Sequence, residues 1–219
     1  MDFKHVQFKH PCNCLIVGMT GSGKTVLTRE LLRHHNILWN TSKQNINILW
    51  TYGQWHNLID VDISENSTVK YVSGLPTETE IENFKPDIVV VDDLLNEMTK
   101  DSTFENLFIK KSHHLNISVI FLIQNLFYNA KSMRTISLNC HYIILMKNPR
   151  DKTQVTSLAR QISPQNMGYF ISSYNDATKN AYGYIRIDLT PDTPEEFRLL
   201  TDLVPNGKQF PILYVERTK

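Results

Sequence analysis

Gly18-Met19-Thr20-Gly21-Ser22-Gly23-Lys24-Thr25 decides how this chain is read. The stretch fits G-x-x-x-x-G-K-[ST], a phosphate-binding loop. Its flanks agree with it. The apolar run Cys14-Leu15-Ile16-Val17 predicts a short buried strand before the loop. A helical pattern follows, with Val26, Leu27, Leu31 and Leu32 on one side. Glycines let the backbone curl so that successive N–H groups point at phosphate oxygens. The start of the helix adds a field that favours anions. Gly18, Thr20, Gly21, Ser22, Gly23, Lys24, Thr25 and Val26 are therefore expected to hold a nucleotide. Within that set Lys24 reaches the β- and γ-phosphates, and the Thr25 hydroxyl holds Mg²⁺.

The whole chain sets limits on what surrounds the loop. Its 219 residues suit a single α/β domain over 1–219, with 41% apolar residues for an ordinary core. Residues 1–13 are expected to form an N-terminal arm or edge strand, and 178–219 a C-terminal extension of the sheet. A net charge of +1 gives no bulk attraction to nucleic acid or anionic lipid, so any DNA contact must come from a local basic patch. Three cysteines argue against a disulfide framework and fit a reducing compartment. No apolar run approaches the roughly 18 residues of a membrane span. The N-terminus lacks the apolar core of a signal peptide. Together these predict an intracellular, soluble protein. Cys12-Asn13-Cys14 lacks a second Cys/His pair at zinc spacing and is expected to lead into a strand with its thiols on opposite sides.

Strands and helices alternate along the chain. Strands are predicted at Asn47–Tyr52 and Thr68–Val72. Thr77 and Glu80 form a capping box for a short helix through Phe84. Asp87-Ile88-Val89-Val90-Val91-Asp92-Asp93 predicts a strand buried on both faces and ending in acids. A helix is expected over 103–115, then buried strands at Ile117–Ile123 and Tyr142–Met146, and a helix over 151–162. Ser163-Pro164 breaks that helix and starts another short one. Ala181–Leu189 alternates as a strand, and Phe210–Val215 is expected to pair beside it across a loop and helix at Pro191–Gly207. This order implies a mainly parallel sheet covered on both faces.

The chemistry follows from what stands at the strand tips. Asp92 is the expected partner of the loop, holding Mg²⁺ beside the Thr25 hydroxyl. Asp93 is placed to orient or deprotonate the attacking water. Gln124 ends the next strand, where an amide can bond the γ-phosphate or the lytic water. Two buried strands after the acidic one suit the branch of P-loop NTPases with an additional strand between the loop strand and the acidic strand. That branch holds mostly ring ATPases and helicases. Nucleotide kinases usually lack the strand and carry an Arg-rich lid, which does not stand out here.

Beyond the loop, specific stretches are Val89-Val90-Val91-Asp92-Asp93-Leu94, Ser112-His113-His114-Leu115-Asn116-Ile117-Ser118-Val119-Ile120, Gln124-Asn125-Leu126-Phe127 and Lys147-Asn148-Pro149-Arg150-Asp151. With them the chain resembles the genome-packaging ATPases of the FtsK/HerA type. Those of Polinton-like viruses, adintoviruses, virophages and the large nucleocytoplasmic DNA viruses, the poxvirus-type packaging ATPase included, are the ones it is similar to. The resemblance implies a three-layer P-loop NTPase whose mainly parallel sheet is extended by C-terminal antiparallel strands. It further implies ATP and Mg²⁺, a ring of subunits (hexamer or pentamer), and movement of double-stranded DNA into a capsid at its portal vertex. The location implied is host cytoplasm or nucleus, or the virion, with no membrane. Cellular relatives often carry Glu where this chain has Asp93; a water or a small shift of the backbone would make up the shorter reach.

A ring motor also needs a positive group from a neighbouring subunit at the γ-phosphate. Arg150, directly after a strand end, is the first candidate, followed by Arg160 and Arg134. Basic corners at Lys110 and Lys111 and at Lys131 and Arg134 are candidates for sequence-independent contact with DNA. Two other readings compete with a DNA translocase: an ATP-gated DNA-binding or assembly adaptor that hydrolyses slowly, and a nucleoside or nucleotide kinase.

Overall fold

The structure, a computed structural model, describes residues 5–54, 63–94, 97, 112–127, 131–205 and 211–216. In chain order these form β1 (Phe8–Lys9), β2 (Asn13–Val17), α1 (Lys24–Arg33), α2 (His35–Leu38), β3 (Trp39–Asn40), β4 (Ile46–Tyr52), β5 (Ser67–Ser73), α3 (Glu78–Phe84) and β6 (Ile88–Asp92). There follow α4 (Ser112–Leu115), β7 (Ser118–Ile123), α5 (Lys131–Leu138), β8 (Tyr142–Met146), α6 (Thr153–Ile162), α7 (Met167–Ala177), β9 (Tyr184–Asp188), β10 (Leu199–Thr201) and β11 (Ile212–Tyr214).

Among the described residues the main sheet has nine strands, in the order β11-β10-β9-β8-β2-β7-β6-β4-β5. From β8 to β5 every neighbouring pair is parallel. β9, β10 and β11 continue the sheet antiparallel. Strand β7 lies between the loop strand β2 and the acidic strand β6, as the additional-strand branch requires.

Side chains alternate across each strand, and the two sets feed two separate cores. On one face Leu15, Val17, Val89, Val91, Phe121 and Ile143 pack with apolar residues of α3, α5, α6 and α7. On the other, Cys14, Ile16, Val90, Ile120 and Ile144 pack with Leu27, Leu31 and Leu32 of α1, with Leu38 of α2 and with the N-terminal segment. The central strands are buried along their whole length, which explains their apolar runs. Thr77 caps α3 as expected: its Oγ1 accepts from Glu80 N at 3.2 Å, and its own N–H donates to Glu80 Oε2 at 2.8 Å.

Several expectations are corrected. Cys12 and Cys14 share one core face, because residues two apart in an extended chain point the same way. Their burial pushes the Cys12 thiol up to about 12 and the Cys14 thiol well above its ordinary value. The N-terminal segment is not an edge of the main sheet; β1 pairs in parallel with β3 as a separate ribbon. Pro191–Gly207 is more than a loop and helix. It supplies β10, which inserts between β9 and β11, so the last strand pairs with β10 rather than with β9. The strand around 181–189 begins only at Tyr184. The helix after Pro164 is long, running over Met167–Ala177. Val26 is 49% exposed and stands apart from the buried Leu27, Leu31 and Leu32. Of the helix expected over 103–115, only 112–115 falls within the described residues.

Two polar devices fasten the N-terminal segment. Arg186 of β9 is fully buried. Its guanidinium donates to Val6 O and, at 3.1 Å, to His5 O. It lies 5.3 Å from the Phe8 ring and 5.5 Å from the Tyr142 ring, with Asp188 Oδ2 at 3.8 Å. Asp188 in turn accepts from Thr190 and Thr193. Arg186→Ala strips the segment of these bonds and leaves a void beside an acid, so it is expected to cost about 3–5 kcal/mol in urea unfolding.

Further along, His10 Nδ1 meets Ser118 Oγ at 2.7 Å, and Ser118 Oγ accepts from Cys12 N at 3.1 Å. Burial lowers the His10 pKa from 6.5; Asp87 opposes that shift and Lys43 adds to it. A base whose folded pKa is depressed gives stability that is full above its unfolded pKa and lost as pH falls through the folded one. His10→Gln is therefore expected to lose less stability than the wild type when the pH falls from neutral to below 6.5, measured by denaturant midpoints across that range.

Candidate functional site

The parallel register brings the strand ends to one level. Val17 is opposite Ile123 and Leu145, Asp92 is opposite Leu122, and Tyr52 is opposite Asp92. The residues that follow, Gly18, Gly53, Asp93 and Gln124, therefore leave the same edge. Gly18 N donates to Ile123 O at 3.0 Å, which ties the start of the loop to the strand that carries Gln124.

Here the chain encloses a cavity of about 770 Å³. Thr20, Gly21, Ser22, Gly23, Lys24, Thr25 and Val26 line it together with Asp92, Asp93 and Gln124. Gly21 has φ 78° and Gly23 has φ 92°, conformations that L side chains resist. At Gly18 the demand is space instead: a Cβ would sit 2.5 Å from Ser22 Oγ and 2.8 Å from Met146 Cβ. Ser22 Oγ is buried without a hydrogen-bond partner among the described residues, the kind of atom a phosphate oxygen would satisfy.

Lys24 curls back over the loop, donating from Nζ to Gly18 O at 2.6 Å and Met19 O at 3.2 Å. Burial lowers its pKa, and the carboxylates of Asp92 and Asp93 oppose that shift. Thr25 Oγ1 donates to Asp92 Oδ2 at 3.4 Å. Asp93 has φ 55°. Its backbone comes so close to β4 that a Cβ on Gly53 would lie 2.7 Å from Asp93 O. Its Oδ1 accepts from Gln124 Nε2 at 3.2 Å. The acid pair thus splits, with Asp92 turned to the loop and Asp93 to the amide.

Other motif residues turn out to shape the frame. Asn148 Oδ1 accepts from Arg150 N at 3.1 Å and Asp151 N at 3.2 Å. Asp151 Oδ1 then accepts from Thr153 N at 3.1 Å at the start of α6. Gln154 Oε1 accepts from Leu126 N at 3.1 Å, which pins the turn after Gln124 to that helix. Arg150, Arg134 and Arg160 are exposed and do not line the cavity. Lys131 begins α5 on the same helix as Arg134, while Lys110 and Lys111 lie outside the described residues.

The cavity also holds residues the sequence did not mark: Gln54, Met146, Tyr182 and Val204. Met146 was legible as the end of a strand but not as a wall. Tyr182 was hidden in an alternating pattern, its one signal being the following Gly183. A second cavity, about 630 Å³ between α7 and β11, is lined by Tyr169, Asp176 and Tyr214 and contains none of the loop or acid residues.

Fold and site together define a P-loop NTPase. Residues 2–160 match the family described as Poxvirus A32 protein, and the chain belongs to that family. Among solved structures it is similar to the genome packaging NTPase B204 from Sulfolobus turreted icosahedral virus 2 in complex with AMP. That match has a TM-score of 0.51 at 14% identity, over 82% of this chain and 93% of that one. The same protein in complex with ATP-gammaS gives 0.52 at 13% identity, over 82% and 93%. The DNA-packaging ATPase B204 from Sulfolobus Turreted Icosahedral Virus gives 0.53 at 14%, over 82% and 94%. At these identities the likeness is one of fold. No curated protein matches the chain. Among the described residues no helix is long and apolar enough to cross a membrane.

The tight contact at Gly18 yields a test. Gly18→Ala is expected to destabilise the protein by about 1–3 kcal/mol through overpacking against Ser22 and Met146, read from urea unfolding.

Proposed function

We propose that the chain is an ATPase that drives packaging of viral double-stranded DNA into a capsid, acting as a ring of identical subunits. The observation that carries the ATPase reading is the pairing within one cavity: Thr25 with Asp92, and Gln124 with Asp93, around a curled loop and its lysine. Family membership supports packaging, and the fold shared with viral packaging NTPases agrees with it.

In this reading the loop N–H groups and Lys24 bind the phosphates and hold the terminal one in line for attack. Thr25 and Asp92 would hold Mg²⁺; a hydroxyl and a carboxylate are hard oxygen donors that fit it, and when bound it neutralises charge on the β- and γ-oxygens. Asp93 takes a proton from the attacking water as the bond from the γ-phosphorus to its bridging oxygen breaks, giving ADP and phosphate. Gln124 holds that carboxylate in place and can bond the water or the γ-phosphate.

The charges at the site favour help from a neighbour. Lys24 is the one cation among the described residues lining the cavity, against Glu30, Asp92 and Asp93, and Glu30 already pairs with Arg33. A triphosphate adds more negative charge, and hydrolysis shifts it toward the leaving oxygen. An arginine supplied by the next subunit would meet that need, and an exposed position outside its own cavity, as at Arg150, Arg160 and Arg134, is what such a group requires. Lys131 and Arg134 on one helix, with Lys110 and Lys111, remain the proposed DNA contacts.

Turnover measured with and without long duplex DNA, paired with sizing of the assembly, tests the reading. A packaging motor is expected to be stimulated by DNA and to form a ring. Nucleotide-dependent assembly with negligible turnover would make it an adaptor, and phosphate transfer to a nucleoside would make it a kinase. Lys24→Ala is expected to abolish nucleotide binding. Asp93→Asn is expected to keep binding and lose about 10²–10⁴-fold in turnover. Arg150→Ala is expected to bind ATP normally and not turn it over; normal hydrolysis would pass the role to Arg160 or Arg134.

A further inference from the structure

The cavity has two chemically different walls, one on each side of the loop. Toward β7, β6 and β4 it presents Gln124, Asp92, Asp93 and Gln54. Toward β8, β9 and β10 it presents Met146, Tyr182 and Val204. A nucleotide whose phosphates lie on the loop, with the terminal one toward the acids, must send its base toward the apolar side.

Tyr182 is built to stand on that side. It is 67% exposed although it is a large aromatic residue lining a cavity. A Cβ on Gly23 would lie 3.2 Å from the edge of its ring, so the ring flanks the phosphate loop itself. Its φ is 60°, a conformation that costs a bulky residue free energy. The surrounding turn is held firmly. Lys147 Nζ donates to Lys179 O at 2.9 Å and Asn180 O at 3.3 Å, and Lys147 N donates to Gly183 O at 2.8 Å. A Cβ on Gly183 would lie 2.5 Å from Ala177 O, which leaves that turn no slack. The position lies beyond the segment 2–160 that matches the family, so membership says nothing of it.

We propose that Tyr182 is the base-binding residue of the nucleotide site, its ring stacking on the nucleobase while the loop holds the phosphates. The assignment rests on the phosphate-loop reading above and adds where the base lies. Stacking on an aromatic ring contributes to affinity for any base and nothing to affinity for a bare phosphate chain.

Calorimetric titration of ADP and of inorganic tripolyphosphate separates the two contributions. Tyr182→Asn suits the left-handed backbone, so its thermal midpoint is expected to be no lower than that of the wild type. It is expected to bind ADP about tenfold more weakly and tripolyphosphate unchanged, while Tyr182→Phe keeps the wild-type affinity for both. Unchanged ADP affinity in Tyr182→Asn would overturn the proposal. So would an equal loss for both ligands, since that is what a ring merely bracing Gly23 would give. If the wild type binds neither ligand, the phosphate-loop reading itself falls and this assignment falls with it.

Discussion

The site depends on the register of a few parallel strands. Because β2, β7, β6, β4 and β8 end at one level, the loop, the split acid pair, the amide and the methionine wall leave the sheet on the same edge. Side chains alternate along a strand, so a slip of one residue would exchange the two cores and turn the acidic strand end away from the loop. The cores make such a slip costly. Each buried Val, Leu or Ile contributes about 1.5–3 kcal/mol, and the central strands are lined with them on both faces. The bond from Gly18 N to Ile123 O carries that register one step past the sheet and into the loop.

The sequence carried the parallel half of the fold well, for a physical reason. Strands buried on both faces have to be apolar throughout, so Leu15-Ile16-Val17, Ile88-Val89-Val90-Val91 and Val119-Ile120-Phe121-Leu122-Ile123 announce themselves without any partner. Loop chemistry is equally local, since Gly21 and Gly23 are required by their own backbone angles. The antiparallel half was harder. Leu199-Leu200-Thr201 is too short to show a period, and only its neighbours β9 and β11 make it a strand. Arg186 and Asp188 stand at polar positions of an alternating strand, yet both are buried: the N-terminal segment brings carbonyls and a ring to Arg186, and Thr190 and Thr193 donate to Asp188.

The candidate site divided along the same line. That Lys24, Thr25, Asp92, Asp93 and Gln124 would come together around one cavity was legible, because a phosphate loop fixes where its partners must stand. The apolar wall was not, because Met146 ends a strand while Tyr182 and Val204 come from two separate connections, and no short pattern unites them. The turn motifs fall between these cases. Asn148 and Asp151 stand in a stretch that looks chemical, but their side chains, like that of Gln154 in the following helix, bond backbone N–H groups and set the path of the chain past the site.

Left-handed residues other than glycine fall into two groups by position. Lys85 closes α3, Asn116 follows α4, and Asp202 follows β10, so each sits where an element ends and the chain must turn. Asp93 and Tyr182 differ in that both line the cavity, one on its acidic wall and one on its apolar wall. Gly53 leaves room for the first, since a Cβ there would lie 2.7 Å from Asp93 O; Gly183, next in the chain to the second, lets the turn close against Ala177 O. Here the strained angle is given to a carboxylate and an aromatic ring, which is the arrangement expected where the side chain's direction is worth more than the backbone's comfort.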